Sequence, residues 1–234
     1  NIYRSMSSIK KLVLYGDIAS PPVRFTLITA SMLKVDIEFR KVDLFKGKNK
    51  TDFYKKINPL QKVPALAVND EVICDSHAIA LYFCRNSDNN HLYPDAPLLR
   101  AKIDELMYFH SGVLFPTDSA IFSAYFARKW PVEDSMLNIW YSALDYLEFK
   151  LSKHKYYFGD EVRLCDICCG TTVSSLELLV PLLERHKNLK NWLENLKSLP
   201  CFKINMQGLE RLHNINNNII KKNKKFRKIL SFIQ

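Results

Sequence analysis

Ser20-Pro21-Pro22-Val23-Arg24 follows a short apolar run, Leu12-Val13-Leu14-Tyr15, and precedes residues that read as a helix over 21–33. The run reads as a strand over roughly residues 11–15. Ser20 then stands at an N-cap position, and Pro21 at the first helical position, where a missing N–H costs nothing. The unsatisfied N–H groups and the positive end of the helix dipole point at whatever lies beside Ser20. Such a place favours an anion, and a thiolate is one candidate. With prolines at the first two helical positions, only later N–H groups can reach the serine oxygen. The hydroxyl proton is then available to a ligand. Read alone, the pentapeptide describes a plain helix cap, and its surroundings decide between the two readings.

Beyond that helix, Val35, Ile37 and Phe39 alternate with Asp36, Glu38 and Arg40, the pattern of a half-exposed second strand. Leu44-Phe45-Lys46-Gly47 opens a basic loop, and residues 51–57 read as a short helix. Asn58-Pro59-Leu60-Gln61-Lys62-Val63-Pro64 follows. Ala65–Val68 and Glu71–Cys74 flank Asn69-Asp70, a hairpin signal, and Asp75-Ser76 caps a helix over 77–85. The order β-α-β-α-β-β-α makes a compact α/β layer unit. The polar, turn-rich segment 86–97 reads as an interdomain linker. Afterwards the period is helical, with helices expected over 98–127, 133–152, 164–184, 188–198 and 201–212.

At 234 residues, with 47% apolar and 25% charged content, the chain is an ordinary globular one able to bury a large core. It contains no run of 18 apolar residues, so no membrane-spanning helix is expected. Asn1–Met6 lacks the long apolar core of a secretory leader, and Met6 could be the natural start. Cysteines at 74, 84, 165, 168, 169 and 201 show no disulfide-framework spacing, which favours a reducing cytoplasmic setting. Cys165-Asp-Ile-Cys168 has redox-motif spacing but lies in an apolar helical stretch, so these thiols read as small buried hydrophobes. Six of the formal +10 charges are Lys221, Lys222, Lys224, Lys225, Arg227 and Lys228, and no acid stands between 211 and 234. The body keeps +4 without a basic stripe interleaved with aromatics, so no nucleic-acid partner is expected. The basic tail, 215–234, also carries Phe226, Ile229, Leu230, Phe232 and Ile233. It reads as a solvated or loosely docked terminal helix, with membrane contact as the alternative.

An α/β unit over 9–85, a linker over 86–97 and a helical domain over 98–214 together resemble a cytosolic glutathione transferase, with the likeness spanning about residues 9–212. The resemblance implies a thioredoxin-like N-terminal domain followed by an all-α C-terminal domain. Ser20-Pro-Pro-Val-Arg24 resembles the insect delta and epsilon classes, where this serine activates glutathione. Val63-Pro64 resembles the family's cis-proline before the third strand. Asp75-Ser76-His77-Ala78-Ile79 resembles its acidic-serine pair, the histidine being typical of the epsilon class. The likeness implies that Val63 pairs strand-like with extended glutathione across Pro64. It also implies that Ser76 receives the γ-glutamyl carboxylate, that Asp75 holds the ammonium and that His77 lines the same site. Gln61 and Lys62 would meet the glycine carboxylate; the epsilon class usually has histidine where Gln61 stands. Glutathione is the implied co-substrate, no metal is expected, and a homodimer is implied. Where Arg163 stands the family usually has Ser or Thr, so the reciprocal capping box with Asp166 is expected to be lost.

Val42-Asp-Leu-Phe-Lys-Gly47, Leu114-Phe115 and Asp118-Ser119 resemble a narrower group, the epsilon-class transferases tied to insect ecdysteroid production. There an acidic residue on this helix hydrogen-bonds a steroid hydroxyl, and Asp118 is the matching position. The pattern itself agrees, because Phe115, Asp118, Ser119, Phe122 and Phe126 fall at i, i+3, i+4, i+7 and i+11. An acid among aromatics needs a partner, and a ligand hydroxyl in an apolar pocket is one. The expected substrate contacts are Pro21, Leu44, Phe45, Phe115, Asp118, Ser119, Phe122 and Phe126. A non-catalytic carrier of steroids or other apolar ligands on the same fold is the alternative. An interaction module would not need the Ser20, Val63-Pro64 and Asp75-Ser76 set. A disulfide reductase needs cysteine at the Ser20 position, and no cysteine precedes Cys74.

Overall fold

The computed structural model describes residues 11–88 and 90–222. Asn1–Met6 and the lysine-rich end beyond residue 222 lie outside the described residues. The chain divides into two compact units between Asn90 and His91.

The first unit runs β1 (Leu12–Gly16), α1 (Pro21–Met32), β2 (Glu38–Lys41), α2 (Asp52–Ile57), β3 (Ala65–Val68), β4 (Glu71–Ile73) and α3 (Ser76–Arg85). Two short 3₁₀ turns, Leu44–Lys46 and Lys48–Lys50, lie between β2 and α2. The sheet order is β2-β1-β3-β4, with β1 and β2 parallel and the other pairs antiparallel. This is a thioredoxin-like layer. Val13, Tyr15, Val42, Tyr54 and Ala65 form one buried cluster, with Ile57, Val63, Ala67 and Cys74 packed against it. Leu14, Val23, Phe25, Ile28, Ile79 and Phe83 are fully buried as well, and α1 packs on α3. The second strand begins at Glu38 rather than near Val35, because its pairing with β1 runs only from Val13↔Glu38 to Gly16↔Lys41.

The second unit is helical: α4 (Pro97–Phe109), α5 (Phe115–Phe126), α6 (Asp134–Lys150), α7 (Leu164–Leu176), α8 (Lys187–Lys197) and α9 (Lys203–Lys222). The expected single helix over 98–127 is instead two. A π turn, His110–Leu114, separates α4 from α5 and inserts one residue that periodicity does not register. The helix expected to reach residue 184 stops at Leu176, five residues short of Pro181. The last helix continues well past Leu212, through an asparagine-rich stretch of weak helix formers, because Asn216 is buried on the same side as Leu209 and Leu212. Residues 215–222 of the expected tail therefore belong to α9.

Every residue of α7 is buried, and the approach of α8 is close at Gly170. A Cβ on it would stand 2.5 Å from Leu196 Cδ1 of α8. Cys165, Cys168 and Cys169 are completely buried in this helix, and burial pushes the thiols of Cys165 and Cys169 up. The wholly buried Asp166 positions α7. Its Oδ2 accepts the Arg163 N–H at 2.8 Å, and its Oδ1 accepts the Tyr157 N–H at 3.1 Å and Trp192 Nε1 at 2.9 Å. The Asp166 N–H donates to the Arg163 carbonyl at 3.0 Å, since a guanidinium has no acceptor with which to return the cap. The arginine side chain instead ties to Glu161 and to the His91 carbonyl.

Burial outweighs the three donors and pushes the Asp166 carboxyl up to about 6 from 3.8. The folded unit therefore binds a proton more readily than the unfolded chain. Stability from this group is complete below about pH 4 and is lost as pH rises through about 6, an effect on the order of 3 kcal/mol. Urea titrations of Asp166→Asn are expected to lack that part of the slope. At pH 7 the variant should also be weaker by about 1–3 kcal/mol, because its amide turns an N–H toward a backbone donor. An unchanged slope would show that Asp166 does not titrate in this window.

Candidate functional site

The strand registers bring four loops to one end of the sheet. Gly16, the last residue of β1, pairs with Lys41, the last of β2. Tyr15 pairs with Ala65, the first residue of β3, and Leu66 with Ile73, the last of β4. Hence 17–20, 42–47, 58–64 and 74–76 all meet the sheet at that end.

Gly16 is needed because a Cβ there would meet Val23 Cγ1 at 2.7 Å, so α1 folds back closely on β1. The loop to Ser20 is held from inside. Wholly buried Asp17 accepts the Ala19 N–H on Oδ1 at 3.1 Å and the Leu44 N–H on Oδ2 at 3.2 Å. Arg24, one turn into α1 and equally buried, donates from Nη1 to the carbonyls of Ile18 at 2.8 Å and Ala19 at 2.9 Å. The Ser20 N–H donates to the Asp17 carbonyl at 2.9 Å, and its own carbonyl accepts from Val23 and Arg24, both at 3.1 Å. Ser20 occupies the N-cap position with Pro21 and Pro22 behind it, yet its side chain makes no cap bond. Among the described residues the half-buried hydroxyl has no hydrogen-bond partner, so its oxygen is unused as an acceptor and its proton can be donated at the positive end of α1.

The 58–64 loop is fixed through its carbonyls. Asn49 Nδ2 donates to the Gln61 carbonyl at 2.9 Å, and Tyr54 Oη and Asn58 Nδ2 to that of Lys62 at 2.9 and 2.8 Å. Burial pushes the Tyr54 phenol up, so it stays a donor at neutral pH. Gln61 takes a left-handed backbone at φ 55, and the Val63–Pro64 peptide is cis. Gln61 and Val63 are half-buried, Lys62 is exposed and Pro64 is buried.

At the 74–76 loop Asp75 is the N-cap of α3, accepting from His77 N–H at 2.9 Å and Ala78 N–H at 3.0 Å. Ser76, buried at the first helical position, keeps its own N–H out of that cap. The Asp75 side chain remains exposed although it caps. The His77 ring lies edge-on to Phe25 of α1, at 5.7 Å between centroids. Of the other named residues of this unit, Pro21 and Leu44 are half-buried and Phe45 is exposed.

In the helical unit, α5 buries Asp118, Ile121, Phe122 and Tyr125. Asp118 is only 2% exposed. Phe115 and Phe126 lie at the edge of that face, half-buried, and Ser119 lies on the exposed side. Phe115 stacks on His110 at 5.7 Å and Phe126 on Phe122 at 5.8 Å. His110, buried in the π turn, hydrogen-bonds Thr172 of α7 at 2.8 Å. Sequence reasoning missed Asp17, Asn49, Tyr54 and the π turn. A carboxylate directly after the glycine that ends β1 was the available signal for the first of these.

The chain thus carries an α/β layer with an uncapped serine at its first helix and a cis-proline before β3, followed in sequence by a helical unit. The family model for the glutathione S-transferase N-terminal domain matches residues 14–91. Glutathione S-transferase 1 of Manduca sexta is 32% identical over 197 residues, 82% of this chain and 90% of that protein. An epsilon-class glutathione S-transferase structure from housefly, Musca domestica, superposes with a TM-score of 0.83 at 33% identity, covering 89% of this chain and 98% of that one. A glutathione transferase homologue from Drosophila mojavensis, solved with bound glutathione, gives 0.82 at 31% identity over 87% of this chain and 95% of that one. The chain belongs to the glutathione S-transferase family, is a glutathione transferase enzyme, and is similar to its insect epsilon and delta members.

Replacing Arg24 by Met removes a buried cation and at least two hydrogen bonds, and frees the Ile18 and Ala19 carbonyls. The expected cost is about 2–4 kcal/mol of stability. Amide hydrogen exchange should speed at Ala19 and Ser20 before it does in β1. Uniform acceleration across the first unit would show that Arg24 holds the whole layer rather than this loop.

Proposed function

We propose that Ser20 activates glutathione by donating a hydrogen bond to its sulfur. The observation that carries this reading is the serine hydroxyl at the start of α1 that caps nothing. A hydrogen bond and the positive end of the helix both favour the thiolate over the thiol and bring its pKa toward neutrality. Glutathione lies extended across Val63-Pro64, with Gln61 and Lys62 toward its glycine carboxylate. Ser76 receives the γ-glutamyl carboxylate, Asp75 the ammonium, and His77 supports them. The thiolate sulfur then forms a bond to an electrophilic carbon of an apolar substrate, whose leaving group departs with the bonding electron pair. In this reading Pro21, Leu44, Phe45, Phe115, Ser119, Phe122 and Phe126 contact the substrate, and Asp118 accepts a hydrogen bond from a hydroxyl on it.

The narrower likeness is to Noppera-bo, the epsilon-class transferase of ecdysteroid production, so the proposed substrate is a hydroxysteroid and the proposed role ecdysteroid biosynthesis. The burial of Asp118 on the same helix as buried Phe122 and Tyr125 supports this. The experiment is conjugation of a generic aromatic electrophile with and without added hydroxysteroid. Ser20→Ala is expected to lower kcat/KM by roughly 10- to 100-fold and to move the acid limb of the pH–rate profile upward. Asp118→Ala should weaken steroid inhibition by a similar factor while leaving turnover of the generic electrophile. Turnover indifferent to steroid would overturn the steroid reading and keep the transferase. Glutathione binding without turnover would favour the carrier.

We also propose a homodimer. On the helical unit Tyr108 is 75% and Phe149 73% exposed, and Leu98, Val113 and Ile139 are exposed near them in sequence on α4, the π turn and α6. Phe109, Val113, Ile139 and Ala143 line an apolar hollow of about 370 Å³. Exposed apolar area on this scale marks an association surface. Tyr108→Glu with Ile139→Glu is expected to weaken self-association at least tenfold by light scattering, and a parental particle mass would place the contact elsewhere.

A further inference from the structure

Half of the chain's formal net charge of +10 falls in one short segment. Residues 41–62 hold seven lysines against Asp43 and Asp52, a net +5. All seven are exposed. Among the described residues their one ion pair is Lys41 with Asp43, at 3.9 Å. Large apolar side chains stand among them without cover: Phe53 is 67% exposed and Leu60 72%. Lys41, Lys46, Lys48 and Phe53 line a single concavity of about 360 Å³, floored by Val42 and Tyr54. The fold explains the exposure. In the short helix α2, Tyr54 and Ile57 turn into the core, so Phe53, Lys55 and Lys56 turn away from it.

We propose that this surface docks the protein on anionic phospholipid membrane. Unneutralised lysines attract lipid phosphate and carboxylate groups, and their alkyl stems can lie along apolar surface while the charge stays in water. Phe53 and Leu60 then enter the boundary between headgroups and acyl chains, where exposed apolar groups among lysines gain most. This stretch is a basic patch with aromatics that the overall charge of the body conceals, and aliphatic Leu60 beside Phe53 suits acyl chains while offering a nucleic-acid base no ring to stack on. The segment belongs wholly to the first unit, and the variants below avoid every residue assigned to glutathione or substrate.

The test is co-sedimentation of the full chain with vesicles of phosphatidylcholine alone or with about 30% phosphatidylserine, at about 0.1 M salt. Binding is expected only to the anionic vesicles. Each removed lysine charge should cost about fivefold, so Lys41→Gln, Lys46→Gln and Lys48→Gln combined should weaken binding about a hundredfold. The corresponding arginine variants should retain it. Phe53→Ser should weaken binding at least tenfold. Conjugation of a water-soluble electrophile at the parental rate by the glutamine variant shows the fold intact, and Lys50→Gln, Lys55→Gln and Lys56→Gln combined serve as an independent second set. The proposal is overturned if both sets bind as the parent does. It is equally overturned if binding vanishes on removing residues 223–234 alone, or if duplex DNA binds as tightly with no dependence on Phe53.

Discussion

A carboxylate stripped of water fixes the helical unit. Asp166 gathers one N–H from its own helix start, one from the loop at Tyr157 and one from the Trp192 indole of α8. No other common side chain offers two oxygens to three converging donors at this size. Burying it costs charge solvation, which is visible in its raised pKa. What it secures is the entry angle and depth of α7, a helix with no exposed face. With α7 placed, Gly170 lets α8 approach, and Thr172 offers a hydroxyl to His110 in the π turn ahead of α5. The burial of Asp118 and Phe122 on α5 thus depends on contacts that start more than forty residues downstream.

The first unit uses the same physics with a pair of opposite charges. Asp17 gathers N–H groups and Arg24 gathers carbonyls, and both act on the few residues before Ser20. Backbone polarity inside the loop is consumed by these two side chains. The serine hydroxyl, facing two prolines, is not. A rigid loop around an unspent donor holds that donor in place before a ligand arrives, so little ordering entropy remains to be lost on binding.

Much of this was legible in the sequence. The α/β order, the serine before two prolines, the hairpin at Asn69-Asp70 and the buried cysteines follow from local pattern, and the structure carries all of them. The Arg163 exception was legible too, since a guanidinium cannot accept a hydrogen bond. Other features were not, for identifiable reasons. Tyr54 reads as an ordinary core aromatic, because the carbonyl it serves at Lys62 is a backbone group with no sequence signature. Asp17 reads as a turn residue, because its second partner, Leu44, is distant in the chain. The long reach of α9 was hidden by asparagines that favour turns in isolation and are here overridden by packing.

The π turn between Phe109 and Phe115 has a consequence for how α5 can change over evolutionary time. Each residue of an α-helix turns the next by about 100° about the axis. An extra residue in a regular helix would carry everything after it round by that angle, whereas a π turn takes the residue up in one widened turn and leaves the following helix in phase with the preceding one. Loss of one residue from His110–Leu114 would close the turn to ordinary α geometry and keep Asp118, Ile121, Phe122 and Tyr125 facing inward. The turn is thus a shock absorber for length, a place where the chain can gain or lose a residue while the inner surface of Phe115–Phe126 stays as it is.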